Sequence, residues 1–152
     1  MKNNSLNITT PSQVATIRGD ALPAGVSSLI YIREAEKMKR VYVAGAYSAD
    51  STMGSLHNIR KGIRVSTEIF LMGYAPFSPW LDYQFVLMLR DGEQLSVEWF
   101  YKYSLAWLEV SDALYVLPDS EGSVGTQMEI KKAKEWGMPV FHNKEDLANA
   151  EL

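Results

Sequence analysis

The chain of 152 residues is 47% hydrophobic and 22% charged, a balance typical of one globular domain with a packed core. It has no cysteine and only two histidines, which excludes a disulfide scaffold, a thiolate metal site and a cysteine nucleophile, and we expect no metal. Its net charge of −3 gives no basic surface for duplex nucleic acid, and no apolar run reaches the roughly 18 residues of a membrane-spanning helix. Because MKNNSLNITTPSQ lacks the apolar core of a signal peptide, we expect a cytoplasmic location.

Residues 1–37 differ in composition from the rest of the chain. They are rich in Asn, Ser and Thr, and prolines and glycines interrupt any period. We therefore expect a partly irregular N-terminal extension over 1–37, with one short helix over Val26–Lys37, followed by a domain over 38–152.

From residue 40 onward, short apolar runs alternate with stretches of helical period. In chain order the sequence predicts strand Arg40–Ala44, helix Leu56–Met72, strand Tyr74–Phe77, helix Trp80–Leu89, helix Ser96–Val110, strand Ala113–Leu117, helix Thr126–Trp136 and strand Pro139–Phe141. Gly73 and Gly137 are expected to end two helices, and Asp91–Gly92 to turn the chain. This alternation predicts an α/β fold with a mostly parallel sheet and helices on both faces.

Two helices carry apolar residues at spacings of three and four, which predicts one buried face on each. These faces comprise Ile59, Ile63, Ser66, Ile69 and Phe70 in the first helix, and Trp99, Tyr103, Ala106, Trp107 and Val110 in the third. The four tryptophans are predicted to lie mostly in the core. For Trp80, beside Pro79 in a predicted loop, lining a ligand pocket is the alternative.

The loops after three predicted strands are expected to meet in one crevice, because ligands of parallel sheets bind beyond the carboxyl ends of the strands. These loops are Gly45–Asn58, Ser78–Asp82 and Pro118–Thr126. Asp119, directly after its strand, lies at the ligand end, whereas Asp112, directly before the same strand, is predicted to be structural.

The first loop, GAYSADSTMGSLHNIR, is rich in small and polar residues. Gly45 permits close approach of a ligand, and Tyr47 is placed to stack on the ligand or hydrogen-bond to it. Asn58 and Arg60 are candidates to bind its polar groups. The alternative is a flexible loop whose polar residues, such as Ser51, cap the next helix. The loop is neither GxGxxG nor a P-loop, which argues against an NAD or ATP site.

The third loop, DSEGSVGTQMEI, leads into a helix and combines two features of an anion site. Ser123 and the amides over 124–126 lie at the helix start, where the helix dipole favours negative charge, and Gly125 omits a side chain there. Glu129 follows one turn later and is able to face the crevice. The alternative is a capping box from Thr126 to Glu129, in which the carboxylate bonds a backbone amide.

Several segments resemble, in order and spacing, the nucleoside 2-deoxyribosyltransferase-like family. They are VYVAGAYS, HNI, GYAPFSPW, SLAWLEVSDALYVLPDSEGSVGTQMEI and GMPV, and the match covers about residues 38–141. The resemblance implies a flavodoxin-like Rossmann variant fold in a homodimer or higher homo-oligomer, with active sites near the subunit interface. It also implies a small-molecule nucleoside or nucleotide as the binding partner, and no cofactor.

The activity that the resemblance implies is cleavage of an N-glycosidic bond. The family glutamate of S-x-G-x-x-x-E falls on Glu129, and the serine and glycine that bind a 5′-phosphate fall on Ser123 and Gly125. The aromatic residue of the first loop falls on Tyr47, the second expected catalytic residue. Because the phosphate-binding pair is retained, we expect hydrolysis of a nucleoside 5′-monophosphate. Base exchange by a deoxyribosyltransferase, a non-catalytic nucleotide-binding module and a purely structural protein are the alternatives.

One position departs from the family pattern. Characterised members have an aspartate in D-L-x-x-(L/I), and here that position is Ser104, in YSLAWL. A serine hydroxyl is able to bind a sugar hydroxyl but is a poor general acid at neutral pH. Asp82, Asp119 and Glu98 are possible substitutes that the sequence does not rank.

Overall fold

The computed structural model describes residues 37–152, so the expected helix over Val26–Lys37 lies outside the described residues except for its last position. The elements in chain order are β1 (Arg40–Ala44), α1 (Thr52–Leu71), β2 (Ala75–Phe77), a 3-10 turn (Pro79–Asp82), α2 (Tyr83–Leu87), α3 (Val97–Glu109), β3 (Ala113–Val116), α4 (Val124–Glu135), β4 (Val140–Phe141) and α5 (Lys144–Ala148). Within this part of the chain, no helix is both long and apolar enough to span a membrane.

The four strands form one parallel sheet in the order β2-β1-β3-β4. The register pairs Tyr42 with Phe77 on one side of β1, and Val43 with Tyr115 on the other. This is the order of the first four strands in flavodoxin-like folds, in which the chain reverses direction of winding between β1 and β3. The predicted parallel α/β architecture is therefore confirmed.

Helices cover both faces of the sheet, because alternate residues of β1 point to opposite sides. Val41 and Val43 pack with Ile59 and Ile69 of α1 and with Leu147 of α5. The residues between them face α3 and α4. This second cluster comprises Tyr42, Ala44, Leu108, Leu114, Val116 and Ala133.

Two predicted helix starts were wrong, in both cases because a serine upstream caps the helix. Helix α1 begins at Thr52 instead of Leu56, and the Ser51 hydroxyl accepts a hydrogen bond from Gly54 N at 3.0 Å. Helix α4 begins at Val124, two residues before the predicted start, with Ser123 as its cap. The first loop is consequently shorter than expected.

The helix predicted over Trp80–Leu89 consists of two short pieces, the 3-10 turn and α2. The short helix α5 was not predicted; Asn143 caps it by accepting a hydrogen bond from Asp146 N at 2.8 Å. The helix-ending glycines were predicted correctly, since Gly73 and Gly137 have positive φ angles of 93° and 69°.

The buried face of α3 differs from the prediction. Its buried residues are Ser104 and Leu108, whereas Trp99 and Trp107 are 68% and 46% exposed. Large apolar residues lie on both sides of this helix, so the period alone does not identify the inner face. Phe70 in α1 and Trp136 after α4 are also exposed, and of the four tryptophans only Trp80 is in the core.

Candidate active site at the carboxyl ends of the strands

A cavity of about 660 Å³ lies beyond the carboxyl ends of the strands. All three predicted loops border it, through residues such as Tyr47, Asp82 and Ser123. Residues of α2 and α3 add an apolar wall that includes Val86 and Phe100. The volume suits a small organic ligand, and the position is the one that the parallel sheet favours.

Glu129 is a buried carboxylate at the wall of this cavity, with 8% of its surface exposed. It accepts a hydrogen bond of 2.6 Å from the Tyr42 hydroxyl. The start of α4 is capped by Ser123, whose oxygen accepts a hydrogen bond from Thr126 N at 3.3 Å. The alternative of a capping box from Thr126 to Glu129 was therefore wrong, because the helix starts earlier and the carboxylate bonds a strand residue.

Burial raises the pKa of Glu129 from an ordinary 4.5 to about 7, and the hydrogen bond from Tyr42 lowers it in part. Burial, together with the negative charge of Glu129, raises the pKa of the Tyr42 hydroxyl well above its usual value. The proton of this pair therefore stays on the tyrosine, and the carboxylate ionises near neutral pH.

The sequence did not predict the role of Tyr42, a buried residue that holds Glu129 from behind the cavity wall. It lies on β1, and its ring stacks on Phe77 with centroids 5.3 Å apart. The Ser104 hydroxyl also acts on Tyr42, lowering the pKa of its hydroxyl. A signal was present in the sequence, because a tyrosine in a fully buried strand needs a hydrogen-bond partner for its hydroxyl.

The start of α4 presents hydrogen-bond donors to the cavity. The Ser123 oxygen accepts from Thr126 N and, at 3.0 Å, from Thr126 Oγ1, so these two bonds leave the serine proton for a ligand. The amides of Val124 and Gly125 precede the first regular helix bond, from Gln127 N to Ser123 O. These groups, with the helix dipole, are suited to an anion.

Gly125 and Gly45 both line the cavity, but each also makes room for an aromatic ring. A Cβ on Gly125 would lie 3.2 Å from the Tyr101 ring, and a Cβ on Gly45 would lie 3.0 Å from the Trp80 ring. The sequence predicted that the missing side chain of Gly125 leaves room for a phosphate. In the structure, the Tyr101 ring lies next to this space.

Tyr47 and Asp82 form a second polar pair in the cavity. The Tyr47 hydroxyl donates to Asp82 Oδ1 at 3.1 Å, and Asp82 is 6% exposed. Burial raises the pKa of the Asp82 carboxyl, and the hydrogen bond from Tyr47 lowers it in part. Burial and the Asp82 charge raise the pKa of Tyr47.

Two other predicted site residues lie outside the cavity lining. The Asn58 amide donates to the backbone oxygens of Tyr47 and Ser48, at 3.4 and 3.3 Å, and so holds the first loop in place. Trp80 is buried in the core and donates from Nε1 to Ala46 O at 3.2 Å. Both residues shape the loop that carries Tyr47.

The remaining acidic candidates differ strongly in their surroundings. Asp119 lines the cavity, but its side chain is 87% exposed and pairs with Lys61 at 3.1 Å. The side chain of Glu98 is 71% exposed and pairs with Lys102. Among Asp82, Asp119 and Glu98, only Asp82 is both buried and at the cavity.

Asp112 is structural, as expected. Its two carboxylate oxygens accept hydrogen bonds from the Arg40 side chain at 3.2 and 3.1 Å, and one also accepts from Arg40 N at 2.7 Å. The Arg40 guanidinium holds the pKa of Asp112 below its usual range. This pair joins the starts of β1 and β3, at the amino ends of the strands and thus at the opposite end of the sheet from the cavity.

The fold and the cavity define an α/β protein with a candidate ligand site beyond the carboxyl ends of a parallel sheet. Residues 39–143 match the model of the family described as "Domain of unknown function (DUF7768)", and the chain belongs to this family. No protein among the curated ones matches the sequence.

Two solved structures are similar in fold. One is a conserved protein from Enterococcus faecalis V583, at 18% identity and a TM-score of 0.54 over 68% of this chain and 62% of that one. The chain thus spans less than two thirds of that protein's length. The other is a 2-deoxyribosyltransferase from Bacillus psychrosaccharolyticus, at 19% identity and a TM-score of 0.49 over 74% and 93% of the two chains.

Proposed function

We propose that the chain hydrolyses the N-glycosidic bond of a nucleoside 5′-monophosphate, with Glu129 as the catalytic carboxylate. The observation that carries this proposal is the Glu129 side chain, which is buried at the cavity wall and held by Tyr42. The motif resemblance to nucleoside 2-deoxyribosyltransferases supports the same assignment. The catalytic unit is the domain over 38–152, preceded by the extension over 1–37.

Departure of a nucleobase leaves positive charge on C1′ of the sugar. A carboxylate beside that carbon stabilises the oxocarbenium-like state by its charge or by forming a transient ester. Tyr42 holds the carboxylate in one orientation, and its hydrogen bond keeps Glu129 from being fully neutralised by burial. The apolar surroundings strengthen the interaction between the two charges.

The 5′-phosphate is assigned to the start of α4. The Ser123 hydroxyl and the amides of Val124 and Gly125 supply donors, and the helix dipole favours the negative charge. Since Glu129 lies on the same helix, a phosphate bound at its start fixes the sugar close to the carboxylate. Such positioning lowers the barrier without any further group.

We also propose that a second copy of the chain borders the site. Apolar side chains of α2 and α3 are strongly exposed, including Met88 at 73% and Val97 at 67%. Val86 and Val97 line the cavity as well, so a subunit that covers this surface would complete its mouth. Exposed apolar surface next to a cavity is typical of an interface.

The experiment incubates the protein with a panel of nucleoside 5′-monophosphates and the corresponding nucleosides, and separates the products by chromatography. We expect a free base and a sugar phosphate from at least one nucleotide. Formation of a new nucleoside only when a second base is added would establish base exchange instead. Binding without either product across the panel would contradict an enzymatic role.

A further inference from the structure

We propose that Asp82 is the acid that protonates the departing base, with Tyr47 as its positioning residue. This assignment rests on the proposed function, and it gives the cavity a second carboxylate with a separate task. Asp82 lines the same cavity as Glu129, but the two residues follow different strands. Asp82 lies in the 3-10 turn after β2, whereas Glu129 lies on α4, which follows β3.

The order of the strands places Asp82 on the side where the base is expected. The start of α4 follows β3, Tyr47 follows β1, and Asp82 follows β2. Neighbouring strands are about 4.8 Å apart, so the ends of β2 and β3 are separated by roughly 10 Å. A nucleotide with its phosphate at α4 and its sugar beside Glu129 therefore directs its base toward Asp82.

The surroundings of Asp82 suit a proton donor. The salt bridges within residues 37–152 include none to this carboxylate, in contrast to Asp112, which is paired with Arg40. Burial favours the neutral acid, while the Tyr47 hydroxyl at 3.1 Å stabilises the carboxylate that remains after proton transfer. Asp82 is thus able to hold a proton and to release it.

The bond changes balance with one water molecule. The electrons of the C1′–N bond pass to the base, which takes the proton of Asp82, while the Glu129 carboxylate stabilises C1′. The water oxygen then bonds to C1′, and the proton that it loses returns to Asp82. The same residue is acid in the first step and base in the second, as in retaining glycosidases.

The test compares a purine nucleoside 5′-monophosphate with its N7-methylated form. The methylated base leaves as a neutral molecule without a proton, so it needs no general acid. In Asp82→Asn we expect kcat/KM for the unmethylated nucleotide to fall by about 10²- to 10⁴-fold, the range of general acid catalysis. For the methylated nucleotide, kcat/KM is expected to fall by less than tenfold.

Two further variants keep the assignment testable. Glu98→Gln removes an exposed carboxylate of α3 outside the cavity and is expected to leave both rates unchanged. Tyr47→Phe keeps the ring but removes the hydrogen bond to Asp82, and is expected to slow the unmethylated nucleotide more than the methylated one. Thermal unfolding of each variant verifies that it is folded.

The pH profile provides an independent measurement. The titratable groups that contact Glu129 and Asp82 are the hydroxyls of Tyr42 and Tyr47, respectively. The pKa of each hydroxyl is raised, so both stay protonated in the neutral range. Since Glu129 must be charged and Asp82 protonated, kcat/KM of the wild type is expected to fall on the alkaline side. In Asp82→Asn this fall is expected to disappear, also for a substrate with a pyrimidine base.

Two results would overturn the role of Asp82 while leaving the proposed hydrolysis intact. One is an equal loss of kcat/KM in Asp82→Asn for the methylated and unmethylated nucleotides, and the other is a fall of kcat/KM at alkaline pH that persists in this variant. If the wild type releases no base from any nucleotide, the proposed function fails first. The two failures are thus distinguishable.

Discussion

At the scale of single residues, the main feature is the free energy required to bury the charge of the Glu129 carboxylate. The folded protein holds a proton on this carboxyl more tightly than the unfolded chain, because burial raises its pKa from 4.5 to about 7. The stability linked to this proton is fully present below pH 4.5 and is lost as the pH rises through 7.

We therefore expect Glu129→Gln to be more stable than the wild type at pH 8 by about 3 kcal/mol. At pH 4.5 the difference is expected to be small, since the wild-type side chain is then neutral in the folded protein. Urea denaturation at both pH values measures this difference. The matched control is Glu135→Gln, an exposed position on the same helix. Equal stability of wild type and Glu129→Gln at pH 8 would contradict the burial of the charge.

Tyr42→Phe tests the other member of the pair. The ring and its stacking on Phe77 are retained, but the 2.6 Å hydrogen bond to Glu129 is lost. Because that bond stabilises the charged carboxylate, the pKa of Glu129 is expected to rise further. The carbon-13 resonance of the Glu129 carboxyl, followed against pH, reports this directly. A pKa that stays the same or falls would rule out the bond as a source of the charge stabilisation.

The sequence predicts some site residues better than others. Glu129 and Ser123 were predicted to share one crevice because both belong to one continuous motif around a helix start, and both line the cavity. Tyr42 was missed, and Asp82 could not be ranked, since their contacts join segments that are 87 and 35 residues apart in the chain. Such contacts depend on strand order and register, which the local pattern does not specify.

At the scale of elements, the start of α4 combines a structural and a binding role in one serine. Ser123→Ala removes the helix cap, at a cost of about 1 kcal/mol, and also removes the hydroxyl assigned to the phosphate. We expect the affinity for a nucleotide to fall by about tenfold or more, as for a lost hydrogen bond to a charged group, and that for the nucleoside to change little. Calorimetric titration of both ligands measures the two effects.

Ser51→Ala is the matched control for this variant. Ser51 caps α1 through a hydrogen bond from Gly54 N and does not line the cavity. It is expected to lose similar stability with both affinities unchanged. If Ser123→Ala weakens nucleoside and nucleotide equally, the serine does not contact the phosphate.

Helix α1 depends on a close contact with the core tryptophan. A Cβ on Gly62 would lie 2.2 Å from the Trp80 ring, which cannot move because it is buried. Gly62→Ala is therefore expected to lower the free energy of unfolding by about 1–3 kcal/mol, although alanine favours a helix. Gly122→Ala, where a Cβ meets open space, is the control. Equal melting temperatures for the two variants would contradict this packing.

The elements themselves were largely predictable, and their faces were not. Strand β3 was predicted almost to its ends, because all four of its residues are buried and apolar. Helix α3 was placed correctly, but its buried side contains Ser104 and Leu108 and not the predicted aromatic residues. When apolar residues surround a helix, packing of the whole molecule determines which side is covered.

At the scale of the whole molecule, the parallel sheet followed from the alternation of strands and helices. The similarity in fold to the Enterococcus faecalis protein agrees with this architecture. The apolar wall of the cavity was not predicted. It is formed by α2 and α3, which lie in the connection between β2 and β3, and the local sequence pattern does not specify where this connection lies in the fold.

The proposed second subunit gives a prediction at this scale. Met88 is 73% exposed at the end of α2, in the apolar surface that the second copy is proposed to cover. We expect sedimentation to show a dimer or higher oligomer for the wild type and a monomer for Met88→Glu. Trp136→Glu, at the far end of α4, is the control and is expected to remain oligomeric. A monomeric wild type would exclude a subunit interface here.

The central claim is that the charge of Glu129 acts on the sugar inside the cavity. Glu129→Gln keeps the shape of the side chain and removes only its charge, so the decisive measurement pairs base release with nucleotide affinity in this variant and the wild type. We expect base release to slow by at least about 10³-fold, as for loss of a major electrostatic contribution, with an affinity within about threefold of the wild type. Base release at the wild-type rate by Glu129→Gln would contradict the claim.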